Sequence, residues 1–204
     1  MADNGDDLYR TIAAPAEALF KERSSKFFAY AFPVVSAEEA LEIVERLRKK
    51  YYDATHHCYA YRLGADGSVY RANDDGEPSG TAGKPILGQL LSADVTDCLV
   101  VVVRYFGGTK LGVPGLIGAY RESTAEVLAA AEIVEKTVDA IFTVVFPYVC
   151  MNDVMKVVKE EQPRIVSQSF DNVCTMTLAI RRSRAAALEK RLANAEGADV
   201  ERKG

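Results

Sequence analysis

Alternation and helical spacing of apolar positions divide the chain into two runs of elements. Residues 25–32 (SKFFAYAF) have a strand pattern rich in aromatics, which Pro33 ends. Leu41, Ile43, Val44 and Leu47 follow at helical spacing and predict a helix over residues 37–50. Ser36 precedes it and Glu39 lies three positions on, the spacing of a capping box. Residues 54–63 read as a second strand. His57, Tyr59 and Tyr61 share one face; His56, Cys58 and Ala60 share the other. Asp66-Gly67 supplies a hairpin turn into a short strand at residues 69–72. Ile86, Leu87, Leu90 and Leu91 predict a helix with Pro85 in its first turn. Residues 96–106 (TDCLVVVVRYF) are the most apolar strand, and their unbroken valines predict burial on both faces at the centre of a sheet. A helix over residues 115–131 follows from Leu116, Tyr120, Val127 and Leu128. The first ten residues are polar and read as frayed as far as Tyr9.

The pattern then restarts. A strand over 139–146, a helix over 152–161, strands over 165–170 and 173–180 and a last helix capped by Ser183 follow, with a short strand at 198–200. This is the order of a small ferredoxin-like sandwich. The expected domains are residues 1–136 and residues 137–204, both of mixed α/β character.

Charge changes the picture little as a total and more as a distribution. The 204 residues carry 25 basic and 29 acidic side chains, net -4, which excludes a broad polycationic binder of nucleic acid. Residues 1–136 hold 15 basic and 20 acidic groups and residues 137–204 hold 10 and 9, so a local basic patch stays open in either part. The longest apolar run, six residues from Cys98 to Val103, is too short for a membrane span, and the start does not read as a secretory signal. Cys58, Cys98, Cys150 and Cys174 form no zinc spacing and read as reduced thiols of a cytoplasmic protein. No cofactor or metal pattern is present.

Three segments carry candidate chemistry. Asp74, Asp75 and Glu77 put three carboxylates in four residues, which suits oxygen ligands for a divalent cation or acid–base work; DDG is equally common turn chemistry. Ser79, Thr81 and Lys84 lie in a small, hydroxyl-bearing run at a helix start, suited to an anion, although Pro85 stands where a P-loop needs a hydroxyl. Arg104 and Lys110 flank a glycine-rich turn, and Arg121 lies on the helix beyond it; two cations, backbone N–H groups and a helix terminus suit phosphate or a carboxylate. His56 and His57 point to opposite faces and cannot easily share one metal.

Residues 74–87 (DDGEPSGTAGKPIL), residues 102–112 (VVRYFGGTKLG) and residues 119–123 (AYRES) together closely resemble the IMPACT/YigZ family. Residues 54–61 (ATHHCYAY) and 25–34 (SKFFAYAFPV) fit its earlier elements. The resemblance implies an N-terminal domain with the fold shared by the second domain of a small-subunit ribosomal protein and the GHMP kinases. It implies a C-terminal ferredoxin-like domain similar to those of elongation factor G. It maps the family's polar core onto Asp74, Asp75, Glu77, Ser79, Thr81, Lys84, Arg104, Tyr105, Lys110 and Arg121. One departure is Gly112-Val113-Pro114-Gly115-Leu116, where the family has a GAGGL-like run; Pro114 removes a backbone donor. Eukaryotic relatives regulate translation initiation but carry a different partner domain, so that activity is not transferred to this chain. The fold kinship with translation factors that the resemblance implies makes the expected function a non-enzymatic, translation-associated protein binding RNA, the ribosome or a protein partner. The alternative is an enzyme acting with Mg²⁺ on a phosphorylated or nucleotide-like small molecule.

Overall fold

The computed structural model describes residues 7–203. The chain divides into two compact units, one formed by Tyr9–Lys136 and the other by the described residues of Thr137–Gly204 with Asp7 and Leu8. Apart from Leu8 and Thr137, end residues of β1 and β7 that belong to the second unit, the first unit holds β1 (Leu8–Ile12), β2 (Ala16–Glu22), β3 (Ser25–Pro33), α1 (Ala37–Lys50), β4 (His56–Leu63), β5 (Val69–Asn73), α2 (Gly83–Ser92), β6 (Cys98–Tyr105), α3 (Gly112–Ala130) and β7 (Ile133–Thr137). Five strands form one antiparallel sheet in the order β2-β3-β6-β4-β5, and β1 pairs with β7.

Strand β6 is the axis of this sheet. Its residues from Cys98 to Arg104 are buried, as a strand sandwiched between two helical layers must be. Leu99, Val101 and Val103 face α1, where Ile43, Val44 and Leu47 close a core with Tyr30, Tyr59 and Tyr61. Cys98, Val100 and Val102 face the other way, onto Ile86 and Leu90 of α2 and Leu116, Tyr120 and Val127 of α3. The small residues Ala29, Ala31, Cys58 and Ala60 of the neighbouring strands share that second face and let the two helices sit close. Helix α1 carries the expected cap: Glu39 N–H donates to the Ser36 hydroxyl at 3.2 Å, and the Glu39 carboxylate accepts from Val35 N–H at 2.9 Å.

The second unit holds β8 (Asp139–Pro147), α4 (Met151–Glu161), β9 (Arg164–Phe170), β10 (Val173–Arg181), α5 (Arg182–Ala193) and β11 (Asp199–Lys203). Its sheet runs β11-β8-β10-β9, every neighbour antiparallel, which is the ferredoxin-like βαββαβ arrangement. Phe142, Val144 and Phe146 of β8 and Met176 and Leu178 of β10 bury against Val154 and Val158 of α4 and Leu188 and Leu192 of α5. No helix among the described residues is long and apolar enough to cross a membrane.

Two features of the chain ends differ from expectation. Residues 1–6 lie outside the described region, but Asp7, read as frayed, is buried with 1% of its surface exposed. Its carbonyl accepts from Val138 N–H at 2.7 Å, and its carboxylate accepts from Ser183 N–H at 2.8 Å. Ser183 is therefore not the cap of α5: it lies inside the first turn, and the acceptor for its N–H comes from the other end of the chain. The Ser183 hydrogen bond, with Arg182 and Arg181 nearby, holds the Asp7 carboxyl below the usual carboxylate range against the opposing effect of burial.

Asp7→Ala strands the α5 N–H groups, and thermal unfolding followed by circular dichroism should show a lowered midpoint; Asp7→Asn keeps an acceptor and should lose less. Equal midpoints for wild type and Asp7→Ala contradict a capping role.

Candidate functional site

The loop from Asp74 to Ala82 joins β5 to α2 and folds around its own carboxylates. Helix α2 begins after Ala82, whose side chain has no acceptor to offer the first N–H groups. Asp74 supplies it: its carboxylate accepts from Gly80 N–H at 2.8 Å, Ala82 N–H at 3.0 Å and Gly83 N–H at 2.8 Å. Burial alone would raise the Asp74 pKa; the three backbone bonds, helped by Lys84, outweigh it and hold the carboxyl below the usual range. Gly83 is required at the helix start because a Cβ there would stand 2.6 Å from the backbone nitrogen of Asn73. Thr81 donates its hydroxyl to the Pro78 carbonyl at 2.6 Å and is buried.

Asp75 turns the other way. Its left-handed backbone (φ +42°) is held by an N–H bond to the Asn73 side chain at 2.9 Å. Its carboxylate accepts from Arg48 of α1 at 2.6 Å and from His57 N–H at 2.6 Å, and its carbonyl accepts from His56 Nδ1–H at 2.8 Å. His57 faces α1 and bonds the Tyr51 carbonyl at 3.1 Å; burial lowers its pKa from 6.5, against the opposing pull of that carbonyl and of Asp75.

Glu77 points inward and makes the central contact. Glu77 is 8% exposed and Arg104 is 5% exposed, and their side chains meet at 2.5 Å between Oε1 and Nη1. Tyr120 of α3 donates its hydroxyl to the same Oε1 at 2.8 Å. Cys58 sits beneath, its thiol 3.0 Å from the Asp74 carbonyl and 3.3 Å from the Tyr120 hydroxyl, and burial pushes both the thiol and the phenol far above their ordinary pKa values. The guanidinium of Arg104 lies over the rings of Phe27 and Phe106, with centroids 5.5 and 5.7 Å away. Its Nε is buried and has no hydrogen-bond partner among the described residues.

Above this pair opens a pocket of about 410 Å³. Arg104, Glu77 and His56 form its polar wall, Lys110 and Phe106 stand at its rim, and Gly112, Val113 and Leu116 bring in the first turns of α3. The turn between β6 and α3 keeps this geometry because Gly107 packs on the chain at Ser24, where a Cβ would lie 2.1 Å from backbone carbon.

The two long motifs thus converge, but only in part. Glu77, Arg104 and Lys110 meet at the pocket. Asp74 and Thr81 hold the loop, Asp75 ties it to α1, and Ser79 is exposed on it. Lys84 and Arg121 line a separate open groove between α2 and α3 with Gly88 and Ile117. Tyr105 lies on the opposite face of the sheet and donates to Asp53 at 2.8 Å. The three carboxylates that suggested a shared cation therefore have three separate engagements.

Sequence reasoning did not select His56, Phe106 or Tyr120 as site residues. The alternation of β4 already placed His56 on the face of Cys58, the face that proves to carry the pocket. Phe106 was read as the end of a strand; it lies just beyond β6 and is 47% exposed. Tyr120 was legible only as a core position of α3.

Residues 23–128 match the family model described as the Impact N-terminal domain. The chain is 37% identical over 154 residues to the IMPACT family member YvyE of Bacillus subtilis, covering 76% of this chain and 71% of that protein. It is 31% identical over 184 residues to the IMPACT family member YigZ of Escherichia coli, covering 89% and 90%. A crystal structure of a protein described as hypothetical superposes with a TM-score of 0.73 at 29% identity, covering 95% of this chain and 96% of that one.

Removing one member of a buried ion pair leaves the other charged and unpaired, at a cost of about 3–5 kcal/mol. Arg104→Met should lose stability of about that size in urea unfolding, and the Glu77→Gln/Arg104→Met double variant should regain much of it. A loss below about 1 kcal/mol for Arg104→Met, the range of an exposed pair, contradicts the burial of the pair.

Proposed function

We propose that this chain, which belongs to the IMPACT family, is a translation-associated RNA-binding protein of the cytoplasm that takes an RNA phosphate in the pocket above Arg104. The observation that carries the reading is Arg104 itself: a buried guanidinium, fixed by Glu77, whose Nε has no acceptor and which lines an open pocket. A phosphate is an anion that a guanidinium lining a pocket can pair with. Lys110 at the rim adds a second cation, and the N-terminal end of α3 adds backbone polarity of the same sign. Phe106, exposed beside Arg104, offers a ring on which an unstacked base rests, the usual partner of a cation in single-strand recognition. The kinship of fold with translation factors that the family resemblance implies supports the link to translation.

A second reading keeps the pocket and changes the ligand. Its volume of about 410 Å³ lies within the size range of small-molecule sites, which favours a phosphorylated or nucleotide-like small molecule. The Mg²⁺ arrangement expected for that enzyme draws no support from Asp74 and Asp75, since their carboxylates are bonded to backbone N–H groups and Arg48.

Single-stranded RNA binding, read by fluorescence anisotropy, should weaken steeply as salt rises. Lys110→Ala should lower the slope of log K against log salt by about 0.7, the share of one phosphate contact on a single strand. Phe106→Ala should weaken binding about tenfold, a typical loss for one stacked base. No binding at low salt, or binding unchanged in the Lys110→Ala/Phe106→Ala double variant, contradicts the reading.

A further inference from the structure

We propose that His56 and Glu77 make this pocket a reader of the ribose 2′-hydroxyl, so that its ligand is a ribonucleotide phosphate rather than the deoxy form. The inference rests on the phosphate-binding reading above and names the chemistry that the rest of the pocket asks for.

The tautomer of His56 follows from its partner. The Asp75 carbonyl at 2.8 Å only accepts, so Nδ1 of His56 carries the proton. In the neutral ring Nε2 is then a lone-pair acceptor, and His56 lines the pocket. Asp75 is in turn clamped by Arg48 and by His57 N–H, so the ring is held from behind. Nε2 stands 3.8 Å from Oε2 of Glu77, beyond hydrogen-bonding distance. That Oε2 accepts no hydrogen bond among the described residues, because Arg104 and Tyr120 both donate to Oε1. Two acceptors therefore face one gap, and a hydroxyl placed there donates its one proton to Oε2 of Glu77 or to Nε2 of His56.

Beside that gap lies the opposite deficit. His56 and Arg104 are direct cross-strand partners on β4 and β6, so their side chains rise together from one face. Arg104 has a donor, Nε, with no acceptor. The wall thus presents the guanidinium of Arg104 next to two acceptors, one of which can take up an O–H. A ribonucleotide carries that pair on adjacent ribose carbons, the 2′-hydroxyl beside the 3′-phosphate. A deoxyribonucleotide pairs with Arg104 and brings no proton to either acceptor, the situation in which a missing hydroxyl discriminates. A 2′-O-methyl group accepts but cannot donate, so it fails at the same point.

The test uses the full chain and four probes: single-stranded RNA, DNA of the same sequence, the 2′-O-methyl RNA, and a free ribonucleoside 3′-monophosphate with its 2′-deoxy analogue as competitors. RNA should bind at least about tenfold tighter than DNA and 2′-O-methyl RNA, the size of one hydrogen bond to a charged acceptor. His56→Ala should bring the ratio of RNA to DNA affinity close to one. The comparison among ligands on the wild-type protein stands even if that variant folds poorly. Equal binding of RNA and DNA overturns the 2′-hydroxyl assignment and leaves the RNA-binding reading in place. Binding of neither polymer overturns the RNA reading. If the free ribonucleotide then binds and its deoxy analogue does not, the 2′-hydroxyl assignment holds with a small molecule as the source; if neither monomer binds, both proposals fall.

Discussion

The buried ion pair between Glu77 and Arg104 is the contact on which the candidate site depends. It joins the loop before α2 to the end of the central strand β6, and Tyr120 adds α3 to the same carboxylate oxygen. Burying two charges is costly, and an apolar pair of similar volume is often as stable or more so. The charged pair is sustained by a short hydrogen bond, the Tyr120 hydroxyl and two flanking aromatic rings. What it supplies in return is a fixed guanidinium that lines a pocket and keeps one buried donor, Nε, without an acceptor among the described residues. Hydrophobic packing elsewhere in the first unit serves this pair: the small residues of β3 and β4 bring α3 close enough for Tyr120 to reach Glu77.

The loop around the pair is organised before any ligand arrives. Asp74 satisfies the α2 N–H groups, Asp75 clamps His56 and reaches α1, and Gly107 pins the far turn against Ser24. Such preorganisation reduces the ordering cost of binding. Pro114 has the opposite effect at one point. It is the third residue of α3 and has no N–H, so the helix terminus presents one donor fewer towards an anion. Under the proposed phosphate reading, Arg104 and Lys110 would carry the share that this missing donor leaves.

Much of the architecture was legible in the chain because it rests on local pattern. The valine run of β6 predicted a strand buried on both faces, the Ser36–Glu39 spacing predicted a capping box, and the second run of elements predicted a ferredoxin-like order. Strand β2 was missed because AEALFKE is built largely from helix-favouring residues; its pairing with β3 overrides that preference. The cap of α5 was missed because its acceptor, Asp7, is 176 positions away in the chain. At the site, the two motifs were visible but not their division of labour. Which of three neighbouring carboxylates turns inward is decided by the left-handed backbone at Asp75 and Gly76, and no spacing rule reports that. His56 was placed on the correct face of its strand, while its pairing with Arg104 depends on the register of two strands far apart in sequence.

The most direct measurement is an NMR titration that follows the side-chain Nε–H of Arg104 and the ring nitrogens of His56 as single-stranded RNA is added. The account predicts that these signals shift first and together, with Lys84, Arg121 and the residues of Thr137–Gly204 following weakly or not at all. Shifts concentrated in the α2–α3 groove or in the second unit, with Arg104 Nε–H unmoved at saturation, would contradict it.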